Sequence, residues 1–284
     1  MIWLWVAVAF FALVFWTFLI EPNWFRLRRR TITGQKKVRK PITILHLSDI
    51  HFLKNEGSKR AFFQRLSMLN PDLIFLTGDI IDCDEGIDTA ARVMSGLRAR
   101  YGAFLVLGNH DYYDYHMADN FRYHLGFGKT AMQRNNVGRF ISEMKRVGVC
   151  VLINESKKLD IHGTPVLICG TDDPVTQKID FERSLRGLSP ESLNILLIHH
   201  LDGILKLSHH GVDLVFAGHT HGGQIRLPIL GPLFCETKLP REYVEGLHPY
   251  KNMTVFVSRG LGAGRTIFPR LGCRPEAVFF EVLP

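Results

Sequence analysis

Short apolar runs that each end in His, Asp or Asn recur along this chain, and they limit what it can fold into. Ile42-Thr43-Ile44-Leu45-His46-Leu47 leads into Ser48-Asp49-Ile50-His51, Leu73-Ile74-Phe75-Leu76 into Gly78-Asp79, and Ala103-Phe104-Leu105-Val106-Leu107 into Gly108-Asn109-His110-Asp111. Such runs, closed by turn-forming residues, read as buried strands. Between them, Phe62, Phe63, Leu66 and Leu69 follow Ser58 at helical spacing and stop at Pro71, and Ala91, Met94 and Leu97 follow Asp88. Successive strand–helix units call for parallel pairing with helical cover. A parallel sheet gathers its functional loops at the carboxyl ends of its strands, where these polar residues arrive.

The later chain continues the theme with fewer helices. A helix carrying Val137, Phe140, Ile141, Met144 and Val147 precedes strands at 149–153 and 165–169, and a short helix falls near 178–186. Leu193 to Ile198 then delivers His199, and Val212 to Ala217 delivers Gly218-His219-Thr220-His221-Gly222-Gly223. Strands at 254–258 and 277–282 close the chain. The expected class is α+β, two stacked mixed sheets with helices outside. Residues 112–135 interrupt the rhythm with Tyr112, Tyr113, Tyr115, His116, Phe121, Tyr123, His124 and Phe127. A segment this long inside a domain is expected to be functional, here as an aromatic cap-like insertion.

The front of the chain is different in kind. Ile2 to Ile20 is a nineteen-residue apolar run broken only by Thr17. As a helix it would measure about 28 Å, close to the hydrocarbon thickness of a bilayer. Trp3, Trp5, Trp16 and Trp24 suit interfacial belts. A cleaved signal fits less well, since no Lys or Arg precedes the run and no small-x-small site follows it. Residues 1–20 are therefore expected to be a retained single-pass anchor in a membrane.

The net charge of +8 belongs to what comes next. Residues 21–40 hold Arg26, Arg28, Arg29, Arg30, Lys36, Lys37, Arg39 and Lys40 against Glu21 alone, leaving 27 basic and 26 acidic residues from 41 onward. This segment is expected to be a basic juxtamembrane tether, with the body spanning 41–284 on the cytoplasmic side. Its cations would orient the helix, or also lie against anionic headgroups. A near-neutral body argues against nucleic acid as a partner, because extended contact needs many phosphate-neutralising cations. The five cysteines, Cys83, Cys150, Cys169, Cys235 and Cys273, are widely spaced without a Cys-x-x-Cys, so neither a disulfide framework nor a structural zinc site is implied.

Alone, an Asp-x-His or His-x-His pair is weak evidence. Five such groups at strand ends, Asp49/His51, Asp79, Asn109/His110/Asp111, His199 and His219/His221, do not come from composition. Their order resembles that of the calcineurin-like metallophosphoesterases over residues 42–284. The resemblance implies an αββα four-layer sandwich and a pair of divalent ions. Asp49, His51 and His221 would hold one ion, Asn109, His199 and His219 the other, and Asp79 would bridge them. A carboxylate suits the bridge because an anion with two oxygens offsets both charges. A neutral Asn109 oxygen keeps the site positive towards phosphate. Oxygen and imidazole ligands without thiolate favour Mn²⁺, Fe or Zn²⁺, and the resemblance leans towards Mn²⁺. Two ions about 3.5–4 Å apart would activate a shared water and clamp phosphate oxygens for in-line attack. His110 would serve as general acid at the leaving oxygen or stabilise the equatorial oxygens of phosphorus, with Asp111 accepting from its other ring nitrogen. His200 is expected beside the ligands or in solvent, His209 and His210 at the surface, and Asp172 and Asp173 in a turn.

Substrate is less constrained. Arg259, Arg265, Arg270 and Arg274 lie in a stretch (246–275) without Asp or Glu, so Arg259 and Arg265 are candidates for gripping further phosphates. Gly218 to Pro228, Ser258-Arg259-Gly260-Leu261-Gly262 and Glu21-Pro22-Asn23 resemble the membrane-anchored branch of the family. That branch includes generic phosphodiesterases and hydrolases of UDP-2,3-diacylglucosamine, a lipid A precursor. The apolar loop 227–234 fits a substrate met at the bilayer. A phospholipid or nucleotide-lipid is therefore the expected substrate, with a phosphodiesterase acting on soluble nucleotides or nucleic acid, and a non-catalytic scaffold, as the alternatives.

Overall fold

A computed structural model describes residues 1–55, 57–115, 133–175, 178–207, 211–262 and 269–284. Helix α1 (Ile2–Phe15) continues through a π-turn, Trp16–Ile20, and a 3-10 turn, Glu21–Asn23. Together they make one apolar helix of 22 residues, long and apolar enough to cross a membrane. Strands β1 (Arg26–Ile32) and β2 (Ile42–Leu47) follow, then α2 (Gly57–Leu66), β3 (Leu73–Thr77), α3 (Ile87–Ser95) and β4 (Ala103–Val106). A single turn, α4 (Asn109–Tyr112), precedes β5 (Tyr113–Asp114), β6 (Gln133–Arg134), α5 (Val137–Arg146), β7 (Val149–Val151), β8 (Glu155–Ile161) and β9 (Thr164–Gly170). After α6 (Phe181–Ser184) come β10 (Leu193–Leu197), β11 (Leu214–Ala217), β12 (Arg226–Leu227), β13 (Gly231–Pro232), β14 (Gly246–Tyr250), β15 (Met253–Val257) and β16 (Glu276–Val282).

Two six-stranded mixed sheets stack face to face, ordered β1-β16-β2-β3-β4-β7 and β14-β15-β11-β10-β9-β8. The alternation of strand side chains assigns the layers. From β3, Leu73 and Phe75 point between the sheets, while Ile74 and Leu76 point out onto Phe62 and Phe63 of α2 and Met94 of α3. In the other sheet Ile195 and Phe216 face inward, and Leu196 and Val215 face a thinner outer layer with Leu201 and Ile204 of a 3-10 segment and Leu207 just after it. The four-layer expectation holds, although short turns cover the second sheet.

In the two large sheets three strands were not anticipated, and all are edge strands. Strand β8 carries Glu155, Lys157, Lys158 and Asp160, and such charge is how an edge avoids pairing with another chain. Strand β14 contains Pro249 and turns back on β15. Strand β1 corrects the expectation of a tether over 21–40. It pairs in parallel with β16 from Arg26↔Glu276 to Ile32↔Val282. Its arginines are part of the body: Arg26 and Arg28 reach the buried Glu276 carboxylate at 3.0 and 3.1 Å. Because β16 is antiparallel to β2, Arg26 lies at the sheet edge where β2 ends. Most of the expected aromatic insertion (112–135) lies outside the described residues, as do His209 and His210.

His46 of β2 is wholly buried between the sheets against the rings of Phe216 and Phe256. The Thr77 hydroxyl donates to Ser48 Oγ, so His46 Nε2–H donates to Thr77 Oγ1 at 2.8 Å, and Nδ1 is left without a partner. Burial lowers its pKa to about 3 from an ordinary 6.5. The unfolded chain therefore takes a proton below pH 6.5 that the folded chain refuses until about pH 3. The ring's contribution is fully present above that window and is lost as pH falls through it. Denaturant titrations in detergent at several pH values should show the wild-type chain losing about 1.4 kcal/mol more per pH unit below pH 6.5 than His46→Leu. Parallel pH profiles would contradict the assignment.

Candidate metal centre

The sequence-selected residues converge at the carboxyl edge shared by both sheets. Asp49 and His51 follow β2, Asp79 follows β3, Asn109 and His110 follow β4, His199 follows β10, and His219 and His221 follow β11. Five of them, Asp49, His51, Asp79, His219 and His221, hold φ between 49° and 72°, a left-handed conformation that side chains with a Cβ seldom adopt. Such strain persists only where the surroundings enforce it, at about 1–3 kcal/mol per residue. Two glycines make the close approach feasible. A Cβ on Gly108 would collide with Asp79 Oδ1, and one on Gly218 with Ser48 Oγ and Asp49 Oδ2.

Three groups of ligand atoms result, each within 4.8 Å: Asp49, His51 and His221; Asp79, His199 and His219; and His51, Asp79 and His110, which shares a residue with each of the others. Asp79 belongs to both halves: its Oδ2 lies 3.2 Å from His199 Nε2 and 3.8 Å from His51 Nε2. Across each half, nitrogens face one another, His51 Nε2 to His221 Nε2 at 3.2 Å and His219 Nδ1 to His199 Nε2 at 3.2 Å. Hydrogen bonds on the far side of two rings set their tautomers. His51 Nδ1 meets Asp82 Oδ1 at 3.1 Å and His199 Nδ1 meets the Thr77 carbonyl at 2.7 Å, so each carries a proton on Nδ1 and turns Nε2 inward. Behind His221 lies the wholly buried Arg270. Its Nη2 donates to the Arg259 carbonyl at 2.9 Å and to the Gly262 carbonyl, and lies 3.2 Å from His221 Nδ1.

The donors fit a cation. Among the described residues, Asp49 Oδ2 and Asn109 Oδ1 are buried without a hydrogen-bond partner, which costs about 1–3 kcal/mol each unless something positive meets them. Burial and the neighbouring Asp79 raise the Asp49 pKa. Burial, then the adjacent imidazoles, push His219 and His221 well below the ordinary histidine value, so both stay neutral with lone pairs available. Burial opposes charging His199, but the Asp79 carboxylate overrides it and takes the ring's pKa up to about 10. Positive charge beside Asp79 is what this cluster favours.

Around the cluster, one expectation needs correcting. Asp111 does not meet the His110 ring. Its carboxylate accepts backbone N–H groups of Asp79, Ile80, Ile81 and Gly108 at 2.8–3.1 Å and pins the two loops together. Asp82 takes the other position, with Oδ1 2.9 Å from His110 Nδ1 and 3.1 Å from His51 Nδ1. Its signal was the second acid in Gly78-Asp79-Ile80-Ile81-Asp82. The His110 backbone N–H donates to Asp79 Oδ1 at 2.8 Å. His200 packs its ring 4.0 Å from that of His219. Asp172, expected in a turn, also accepts the Tyr112 hydroxyl.

The arginines are less free than their sequence implied. Arg259 is paired with Glu245, which also holds Arg226 at 3.1 Å, so a phosphate would have to displace a carboxylate. Arg274 lies 3.7 Å over the Trp24 ring, and Arg265 is outside the described residues. A cavity of about 540 Å³ between α2 and α3 is lined by Phe52, Lys54, Lys59, Arg60 and Arg92, with none of the cluster residues in its wall.

The model of the calcineurin-like phosphoesterase family matches residues 42–223. The chain is similar to the uncharacterized metallophosphoesterase YkuE of Bacillus subtilis, 33% identical over 84% of this chain and 76% of that one. It is similar to the phosphodiesterase YaeI of Escherichia coli, 28% identical over 93% of this chain and 90% of that one. It is also similar to the UDP-2,3-diacylglucosamine pyrophosphatase LpxG of Chlamydia trachomatis, 28% identical over 94% of this chain and 92% of that one.

Asp82 orients two rings at once, so its loss should be felt twice. Asp82→Asn should weaken divalent-metal binding, read by calorimetric titration, by about 10–100-fold. An unchanged affinity would show that the hydrogen bond to His51 does not set that ring's orientation.

Proposed function

The chain belongs to the calcineurin-like phosphoesterase family, and from that premise we propose that this metal-dependent phosphoesterase hydrolyses a phosphodiester or pyrophosphate bond of a lipid or nucleotide-lipid at a membrane surface. The observation that carries the hydrolytic reading is the position of Asp79, whose carboxylate faces imidazoles of both half-sites. Asp49, His51 and His221 would hold one divalent cation, Asn109, His199 and His219 a second, and Asp79 both. When bound, the two cations supply Lewis acidity, lowering the pKa of water and neutralising phosphate oxygens. The donor set, oxygen and imidazole without thiolate, accommodates Mn²⁺, with Fe and Zn²⁺ as competitors.

The chain's own groups do the rest. Asp82 holds the Nδ1 proton of His110 and favours the charged ring, which leaves Nε2–H to protonate the departing oxygen. Burial works against that charge, and the Asp79 and Asp82 carboxylates raise the His110 pKa despite it. The His110 backbone N–H bond to Asp79 keeps the acid next to the bridging carboxylate. Asp111 maintains the distance between the loops that carry Asp79 and His110.

A lipid or nucleotide-lipid substrate is supported by the apolar N-terminal helix and by the likeness to LpxG, whose name states a UDP-2,3-diacylglucosamine pyrophosphatase. The cations that follow the helix favour a cytoplasmic body. The likeness to YaeI, a named phosphodiesterase, supports a second reading with soluble diesters as substrates.

Chelation should abolish hydrolysis of bis-p-nitrophenyl phosphate, and Mn²⁺ should restore it; activity that survives chelation would refute the metal assignment. His110→Ala should retain its metal by elemental analysis while losing about 10²–10⁴-fold in turnover. Metal lost together with turnover would instead make His110 a ligand. Turnover on UDP-2,3-diacylglucosamine in mixed micelles should exceed that on a soluble dinucleotide, and the reverse order would remove the lipid reading.

A further inference from the structure

The hairpin of β12 and β13, with the two residues that follow it, presents apolar side chains to solvent. Ile229 is 107% exposed, Leu230 61%, Leu233 48% and Phe234 58%. Single exposed apolar side chains are ordinary, but four within six positions of one loop form a patch. Ile229 also holds φ at 68°, a conformation unfavourable to a β-branched residue, and it stands clear of the body. The hairpin leaves the loop that carries His221, and Gly223 packs under Pro232 and Phe234.

The same hairpin is tied to the foot of the apolar helix. Arg226 N–H donates to the Leu271 carbonyl at 2.7 Å, and Leu271 N–H donates to the Gln224 carbonyl at 3.1 Å. On its other side this segment meets the helix: Arg270 N–H donates to the Thr17 carbonyl at 2.9 Å and Cys273 N–H to Glu21 Oε1 at 2.6 Å. Glu21 is buried there, and its second oxygen accepts Trp16 Nε1–H at 2.9 Å. A short hydrogen-bonded run thus connects the last turns of the helix to the base of the hairpin, all at the edge where the candidate ligands gather.

We propose that the apolar side chains of this hairpin, Ile229 and Leu230 at its turn with Leu233 and Phe234 just past β13, insert into the headgroup–acyl boundary of the bilayer that the apolar helix spans, so that the candidate centre opens onto the lipid surface. The inference rests on the reading of a membrane-surface hydrolase and gives that reading a contact. The occupant is lipid because the hairpin is hydrogen-bonded, through residues 270–273, to the foot of the helix itself. What flanks the helix foot is also what a headgroup layer accepts: Trp16 and Trp24, half-exposed, with Arg274 over the Trp24 ring. A loop of Leu, Ile and Phe beside aromatic and basic side chains matches the composition of interfacial segments.

The test uses the full chain in phosphatidylcholine–phosphatidylglycerol vesicles containing nitroxide-labelled lipid. A fluorophore is placed at Ile229→Cys, with Cys150 and Cys235 replaced by serine, or at Met68→Cys in the same background. Met68 is 76% exposed and follows α2 at the opposite edge of the first sheet. Lipid nitroxides should quench the label at 229 and leave that at 68 unaffected. Equal quenching at the two positions, or none at 229, overturns the proposal and leaves the tip to a protein partner. Independently, the double substitution Ile229→Asp, Leu230→Asp should lower turnover on vesicle-embedded UDP-2,3-diacylglucosamine about tenfold and leave bis-p-nitrophenyl phosphate hydrolysis within about twofold. Parallel loss on both substrates makes the hairpin part of the site and overturns a membrane role. A chain that cleaves neither substrate while quenching persists at 229 would refute the hydrolase reading and leave the contact standing.

Discussion

Two buried carboxylates and four inward-facing imidazoles share one edge of the sandwich, and the arrangement depends on positive charge between them. Without it, Asp49 and Asp79 repel across a low-dielectric space, and Asp49 Oδ2 and Asn109 Oδ1 have no partner among the described residues. A proton on His199 meets part of the demand, which is why that ring binds one so tightly. Much of the surrounding fold holds these groups in place. Backbone N–H groups of His110 and His219 fix one oxygen of each carboxylate, at 2.8 and 2.9 Å. The strained residues at the strand ends have the same origin, since their backbone turns to aim a side chain inward.

The stacked sheets give that edge its rigidity. Phe216 and Phe256 interlock with Phe280 from the facing sheet, and His46 fills the gap beside them as a neutral ring. Each sheet delivers one share of the cluster: Asp49, His51, Asp79 and Asn109 from the first, and His199, His219 and His221 from the second. Each half-site draws ligands from both sheets, so its geometry depends on the packing between the layers, in which an ångström of slippage would pull both half-sites apart.

Much of this could be read from the sequence because strand ends carry their own label. A buried run that stops at Gly-Asp or Gly-Asn-His gives the residue and the place together. The partner of His110 could not be read so easily. Asp111 is its neighbour in the chain, but on the single turn of α4 adjacent side chains diverge, and Asp82 reaches the ring from another loop. Strands β1, β8 and β14 were missed for a related reason. Their charges and prolines belong to margins of the sheets, where strands need no apolar alternation.

Strand β1 changes where the body begins. A cut at Pro41, the boundary that charge composition indicates, passes through the sheet and not through a linker. It would uncover β16 along its whole length and strand the Glu276 carboxylate without Arg26 and Arg28. A seven-residue open edge of that kind is a template for pairing with a second copy, so a soluble fragment made that way would invite self-association unrelated to any native assembly.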